Sequence, residues 1–144
     1  MIIEYRNIQS DQDWNWLVKR TDPTLTTGTT GIIAEDKEAD EIVAMACFDS
    51  WTDNSVTIHW AIDNAMVLRH GFIEECFDYV FNTCEKGIML ATIPSDNLKS
   101  LKLSTHIGLE VLYKIKDGFK RGVDCVILEI RKENCKWLGS AANG

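Results

Sequence analysis

Alternation of apolar and polar residues predicts most of the regular structure of this chain. The clearest case is Val56–Asp63, where the even-numbered apolar residues face one side while His59 and Asp63 face the other. Shorter or more uniformly apolar runs occur along the rest of the chain and end at turn-forming residues. The predicted strands are Ile2–Ile8, Ile32–Glu35, Ile42–Trp51, Val56–Ile62, Ile88–Ile93, Glu110–Lys116 and Asp124–Arg131.

Three stretches carry apolar residues at the three-to-four spacing of a helix instead. The first follows a cap at Ser10 and ends near Asp22-Pro23, and the second covers Gly71–Cys84. The third, Asn97–Leu109, has a stripe that includes Leu98 and Leu101 and closes at Gly108. The resulting order, β-α-β-β-β-α-β-α-β-β, predicts an α/β protein built on one sheet.

Two segments carry no such periodicity. Residues 24–31, T-L-T-T-G-T-T-G, predict a loop that either faces a substrate or simply connects two elements. Residues 139–144 are expected to fray, which leaves 1–138 as a single domain.

Composition narrows the classes of function. The 144 residues carry 15 basic and 22 acidic side chains, a formal net charge of −7, which disfavours non-specific nucleic-acid binding. No apolar run approaches a membrane span, and the N-terminus lacks the pattern of a signal peptide. Five scattered cysteines without a C-x-x-C pair predict neither a metal site nor a disulfide framework. We expect Cys47 and Cys125 to be small buried hydrophobic residues in strands. We therefore expect a cytoplasmic protein with no membrane partner.

Basic residues nevertheless gather in the last third of the chain. They form either a solvated face or a patch for an anionic cofactor or partner. The residues are Lys99, Lys102, Lys114, Lys116, Lys120 and Arg121.

The third helical stretch reads N-x-x-S-x-x-L-x-x-x-x-G-L and resembles a motif of the GNAT (Gcn5-related) N-acetyltransferase superfamily. Asn97, Ser100, Leu103 and Gly108 match it, and Leu109 stands where Phe is usual. The run H-G-F-I-E-E-C at 70–76 is similar to the start of the pyrophosphate-binding helix in the ribosomal-protein acetyltransferase branch. In length and in its C-x-W-L tail the chain also resembles small GNAT-like proteins encoded by tailed bacteriophages, which implies a host-cytoplasm location.

The resemblance implies a GNAT-like acyl-CoA N-acyltransferase fold, with acetyl-CoA as co-substrate and direct acetyl transfer to a primary amine in a ternary complex. The strands corresponding to Val56–Asp63 and Ile88–Ile93 would splay apart, and the pantetheine arm would lie between them. Backbone groups of Trp60, Ala61 and Ile62, together with Asn97 and Ser100, would contact that arm. The phosphates would meet a helix N-terminus and the loop before it, where free N–H groups favour anions. The residues there are Arg69, His70, Gly71, Phe72 and Ile73.

Three residues are candidates for the catalytic groups. Either His59 or Asp63 could act as general base, since both lie on the same side of one strand. Ser104 occupies the position at which the family usually has a tyrosine general acid.

A second hypothesis is a GNAT-fold protein that has lost catalysis and serves as a binding or structural component. It rests on Leu68 and Ile73 in the phosphate loop and on Ser104. It predicts a cofactor groove filled by side chains and an exposed apolar patch. Under the first hypothesis the acceptor is a small-molecule or protein amine, and a homodimer formed through the last strands is possible.

Overall fold

The computed structural model describes residues 1–21, 23 and 25–138. The predicted frayed tail, 139–144, lies outside the described residues. The strands are β1 (Ile3–Asn7), β2 (Thr30–Asp36), β3 (Glu41–Asp49), β4 (Ser55–Ile62), β5 (Ile88–Pro94), β6 (Glu110–Lys120) and β7 (Val123–Arg131). The α-helices are α1 (Asp11–Val18), α2 (Phe72–Asp78) and α3 (Leu98–His106). The predicted order of strands and helices is confirmed.

All seven strands form one sheet in the order β1-β2-β3-β4-β5-β7-β6. Every neighbouring pair is antiparallel except β4 and β5, which run parallel. The parallel pair joins two antiparallel halves, and its connection carries α2 as a crossover helix.

The two faces of the sheet carry separate apolar clusters. The larger cluster packs the even-numbered β4 residues Val56 and Ile58 against Phe72 and Phe77 of α2 and also includes residues of α3. The smaller cluster places Leu17 of α1 on Ile33, Met45 and Cys47. Alternation therefore sends His59 and Asp63 to the face on which α1 packs, as the sequence pattern predicts.

Helix α1 begins with a capping box. The Ser10 hydroxyl accepts a hydrogen bond from the Asp13 backbone N–H, and the Asp13 carboxylate accepts one from the Ser10 N–H. Arg6 of β1 donates two further bonds to that carboxylate, at 2.8 and 2.9 Å. Asp13 is buried, and its hydrogen bonds with Arg6 hold the pKa of the carboxyl well below its usual range.

The segments before and within α2 differ from the prediction. Residues Ala65–His70 form a 3-10 helix, and Tyr79–Thr83 continue α2 as a π-helix. Hydrophobic spacing is similar in α- and π-turns, which is why the pattern predicts one continuous helix.

One apolar residue of the α3 stripe is not buried. Leu98, the first residue of the helix, is 72% exposed, whereas Leu101, Leu103 and Ile107 pack on the larger cluster. Leu98 lies in the first turn, before the helix reaches the sheet. The spacing of apolar residues alone therefore overestimates how many of them are buried.

The last hairpin is longer than predicted and little covered. Strand β6 extends to Lys120, lies at the edge of the sheet and is exposed along its whole length. No helix among the described residues has the length and apolar character needed to cross a membrane.

We predict that Asp13→Asn lowers the free energy of unfolding by about 2–3 kcal/mol, since it removes charge-assisted hydrogen bonds and part of a helix cap. Because the folded-state pKa of Asp13 is depressed, this contribution is present above the carboxyl's unfolded pKa, about 4. It is lost as pH falls through the folded pKa. Urea unfolding at pH 7 and pH 3 measures both effects.

Asp11→Asn is the matched control for this prediction, because Asp11 lies in the same first turn and is exposed. We expect it to change stability by less than about 0.5 kcal/mol. Equal losses in the two variants would contradict the role assigned to the Arg6–Asp13 pair.

Candidate functional site

A cleft opens where β4 and β5 separate. The two strands pair only at Ser55–Ile88, Val56–Met89 and Thr57–Leu90. Beyond these pairs they diverge, and the space between them forms part of a cavity of about 690 Å³. Its walls come from residues 58–63 of β4 and the loop after it, residues 91–94 of β5, the C-terminal end of α1, the first turns of α3 and the last hairpin. The cleft therefore has a closed end at Thr57–Leu90 and an open end near Asp63.

Backbone N–H groups of β4 face this gap. Asp63 donates its backbone N–H to the Val43 carbonyl of β3, at 2.8 Å. In an antiparallel ladder, alternate residues direct their N–H and C=O groups to opposite neighbours. This alternation turns the N–H groups of Ile58, Trp60 and Ile62 toward β5. The N–H of Ile58 still pairs with the Leu90 carbonyl, as the parallel Thr57–Leu90 pairing requires, and β5 moves away only beyond it. The N–H groups of Trp60 and Ile62 are therefore available to a ligand.

His59 lies next to the closed end of the cleft. It is the first residue on its face of β4 beyond the last β4–β5 pair, and it lines the cavity. Its Nε2 lies 2.9 Å from Oδ2 of Asp49, and the Asp49 side chain is only 1% exposed. The ring is thus oriented by a buried carboxylate while part of it remains open to the cleft.

Asp63 lies at the open end and is engaged differently. Arg20, just beyond α1, donates two hydrogen bonds to its two carboxylate oxygens, at 3.0 and 2.8 Å. The guanidinium group also stacks on the Trp16 ring, 3.7 Å from the centroid. The two predicted bases are four residues apart, about 13 Å at about 3.3 Å per residue. They therefore occupy opposite ends of the cleft.

The start of α3 forms one wall. Asn97 caps the helix by accepting a hydrogen bond from the Ser100 backbone N–H through Oδ1, at 3.1 Å. Asn97, Lys99 and Ser100 all line the cleft. Capping and ligand contact are compatible here, because the cap engages only the amide oxygen of Asn97.

Ser104 does not belong to the cleft. It is fully buried in α3 and is absent from the residues lining the cavity. Its hydroxyl has no hydrogen-bond partner among the described residues. The geometry thus does not favour Ser104 as a proton donor.

The predicted phosphate loop follows β4 in the chain, but its residues do not line the cleft. The carbonyl of His70 instead accepts a hydrogen bond from the Tyr5 hydroxyl of β1. Gly71 adopts φ +85° at the start of α2, a conformation that glycine tolerates without strain. Arg69 and His70 are exposed, whereas the side chains of Phe72 and Ile73 are buried in the core. Ile73 therefore does not crowd this surface, and only backbone groups of the two apolar residues could meet a ligand there.

A carboxylate lies close to the same loop. Glu74, in the first turn of α2, places Oε2 3.9 Å from the position that a Cβ on Gly71 would occupy. That oxygen is buried without a hydrogen-bond partner among the described residues. Its negative charge would oppose an anion at this helix terminus.

Several residues at or near the cleft were not predicted from the sequence. Asp49 lies in an apolar strand, and Arg20, Lys19 and Phe119 come from segments far apart in the sequence. A carboxylate within the run I-V-A-M-A-C-F-D was the one available signal, since an aspartate is costly in a buried strand.

Two cysteines near the cleft have different surroundings. Cys47 faces His59 across β3 and β4 and is fully buried. Burial, with a smaller effect from the Asp49 charge, raises the pKa of its thiol to about 12. Cys47 is therefore a protonated packing residue rather than a nucleophile, as its position in a strand predicts. Cys125, which we expected to be buried, is partly exposed and lines the cleft.

Comparison with solved structures identifies the fold. No protein-family model and no curated protein matches the sequence. Spermidine N-acetyltransferase SpeG from Vibrio cholerae, solved with CoA and spermine, superposes with a TM-score of 0.74 at 12% identity, over 94% of this chain and 98% of that one.

Two further structures match over a shorter region. One is yncA from Salmonella typhimurium, solved with its cofactor acetyl-CoA (TM-score 0.60, 19% identity, 72% of this chain and 65% of that one). The other is a GNAT-family acetyltransferase from Bacillus anthracis (TM-score 0.57, 18% identity, 72% and 66%). The chain thus has the GNAT acyltransferase fold, and the predicted fold class is confirmed.

Proposed function

We propose that this protein is an acetyl-CoA-dependent N-acetyltransferase that transfers the acetyl group directly to a primary amine. The observation that carries the proposal is the open β4–β5 gap, which combines free backbone donors with a histidine at its closed end. Proteins that share the fold and were solved with CoA or acetyl-CoA support the choice of co-substrate.

The charge of the cleft fits such a ligand. Although the chain as a whole carries −7, three cationic side chains and only one acidic side chain line the cavity. The cations are Lys19, Arg20 and Lys99, and the acid is Asp63, which Arg20 already engages. An anionic ligand would therefore meet net positive charge at this site.

The pantetheine arm of the co-substrate would lie in the gap and pair with the backbone of β4, as a neighbouring strand would. We assign the N–H group of Ile62 to one of its amides and the Asn97 and Ser100 side chains to the opposite wall. Ala61 contributes its side chain to the lining of the cleft. By the resemblance, the phosphates would lie toward Arg69, His70 and Gly71, which follow the end of β4 in the chain.

Acetyl-CoA supplies a thioester whose carbonyl carbon the amine attacks. His59 would accept the proton that the amine loses as the new C–N bond forms. The N–H of Trp60, the free donor nearest the closed end, would donate to the carbonyl oxygen as negative charge develops on it. When the C–S bond breaks, the departing thiolate takes up a proton from water, because no cleft residue is assigned as general acid.

His59 is a better base than Asp63 on geometry. A ligand with its phosphates at the open end and its arm in the gap carries its thioester toward the closed end, where His59 lies. Both oxygens of Asp63 are already bonded to Arg20. We therefore assign Asp63 to the shape and charge of the open end.

The alternative of a non-catalytic binding protein requires a groove filled by side chains. The cavity of about 690 Å³ counts against it. Of the three substitutions that motivate it, two have small structural consequences, since Ile73 points into the core and Leu68 packs against it. The third, Ser104, is buried outside the cleft.

The acceptor would approach through the α1 side of the cleft, where His59 is accessible beside Phe119 and Cys125. SpeG was solved with spermine, which makes polyamines one class to test on this chain. Small-molecule and protein amines are both candidates for this acceptor.

We also propose a homodimer that covers β6. This edge strand exposes five large apolar side chains: Val111, Leu112, Tyr113, Ile115 and Phe119. A long, apolar edge strand favours pairing with another copy. Light scattering at micromolar concentration would contradict the dimer if it gave the mass of a single chain.

Lys99→Glu should weaken acetyl-CoA binding by about tenfold or more, because it removes a charge-assisted contact and adds repulsion. Lys102→Glu is the matched control, since Lys102 is exposed on the same helix but does not line the cleft. We expect the control to change affinity by less than about twofold. Isothermal titration of acetyl-CoA into each variant makes the measurement, and absence of binding to the unmodified protein would refute the proposed function.

His59→Ala should lower kcat by about 10²–10⁴-fold while leaving acetyl-CoA affinity nearly unchanged, since a general base acts on the amine rather than on the cofactor. Asp63→Asn, which preserves shape, should lower kcat by less than about fivefold. CoA release, measured by chromatography with a panel of spermine, an aminoglycoside and peptides with free N-termini, supplies the rates. A larger loss in Asp63→Asn than in His59→Ala would reverse the assignment of the base.

A further inference from the structure

We propose that Asp49 is a positioning residue that holds the His59 ring so that one nitrogen is presented to the cleft as the proton acceptor. The inference rests on the proposed function, because it assigns a role to Asp49 within that reaction. Nε2 of His59 lies 2.9 Å from Oδ2 of Asp49. A carboxylate accepts and cannot donate, so the proton of the neutral ring resides on Nε2. Nδ1 is then the nitrogen that carries the free electron pair.

Asp49 is not explained by folding alone. It lies at the end of β3, is 1% exposed and follows a run of buried apolar residues. A carboxylate in such surroundings lowers stability unless it is paired. Its charge also contributes to the raised pKa of the neighbouring Cys47 thiol. The buried charge of Asp49 thus acts on two neighbouring side chains, Cys47 and His59.

Strand register fixes this arrangement. Cys47 pairs with His59, and Asp49 pairs with Thr57, so Asp49 lies diagonally across from His59 on the same face. Both strands are inside the sheet, where ladder hydrogen bonds limit their movement. The pair is therefore presented on rigid elements at the closed end of the cleft, which is what a proton-transfer group requires.

The second carboxylate of the cleft shows the contrast. Asp63 is bound by a permanent cation, Arg20, with both oxygens engaged, and its side chain is 46% exposed. Asp49 is instead paired with His59, a side chain that can gain and lose a proton, and it is shielded from water. A shielded carboxylate can stabilise the imidazolium that forms when His59 takes the amine proton, and it returns to its starting state when that proton leaves.

The first test needs no substrate. Long-range ¹H–¹⁵N spectra of protein labelled at its three histidines report which ring nitrogen carries the proton. His59→Gln identifies the His59 signals by their loss. We expect the unmodified protein to show the Nε2–H form of His59 and Asp49→Asn to shift the ring toward the Nδ1–H form, because an asparagine amide can donate to Nε2. A wild-type His59 ring in the Nδ1–H form would overturn the proposal, even if the Asp49 variant fails to fold.

The second test is kinetic. Asp49→Asn should lower kcat by about tenfold or more, but by no more than the roughly 10²–10⁴-fold contribution of the general base itself, with acetyl-CoA affinity within about twofold of the unmodified protein. Adding Asp49→Asn to His59→Ala should cause no further loss, since Asp49 acts only through His59. Asp36→Asn is the control, because Asp36 is also a buried carboxylate of the sheet but lies outside the cleft.

The outcomes separate the two claims. Additive losses in the double variant would overturn the positioning role while leaving the acetyltransferase intact. A protein that shows the Nε2–H form and its change in Asp49→Asn, yet neither binds nor turns over acetyl-CoA, would refute the proposed function and not the assignment of the pair.

Discussion

The separation of β4 from β5 is the feature on which the rest of this molecule depends. A parallel pair normally continues for the length of the shorter strand, yet here it ends at Thr57–Leu90. Both strands remain stable beyond that point because each is paired on its other side, β4 with β3 and β5 with β7. The unpaired backbone donors can bond to water in the free protein and to a ligand when one is bound.

The cleft formed by this separation differs in charge from the rest of the molecule. The chain is acidic overall, but its cleft is lined by more cations than anions. The two carboxylates that approach the cleft are each paired, Asp63 with Arg20 and Asp49 with His59. The Asp63–Arg20 pair sets the shape and charge of the open end, and the Asp49–His59 pair orients the proposed base at the closed end. A single strand, β4, thus leads to both pairs at opposite ends of the same gap.

Local patterns predicted the fold and part of the site. Alternation in β4 placed His59 and Asp63 on one face, and the capping signal at Asn97 located the start of α3. Sequence could not predict Arg20 or Asp49 as partners of these residues, because both contacts depend on strand register and on where α1 ends. It also predicted that Cys125 is buried and included Leu98 in the apolar stripe of α3, since periodicity records only which residues are apolar and not where neighbouring elements stop.

The most direct test of this account is an NMR titration of acetyl-CoA into ¹⁵N-labelled protein. We predict that the backbone amides of Trp60 and Ile62 shift together and become protected from hydrogen exchange, because they are the donors that face the gap. The neighbouring amides of His59 and Ala61, which face β3, should change less. Shifts confined to residues outside β4, β5 and the start of α3 would contradict the central claim that the open gap is the cofactor site.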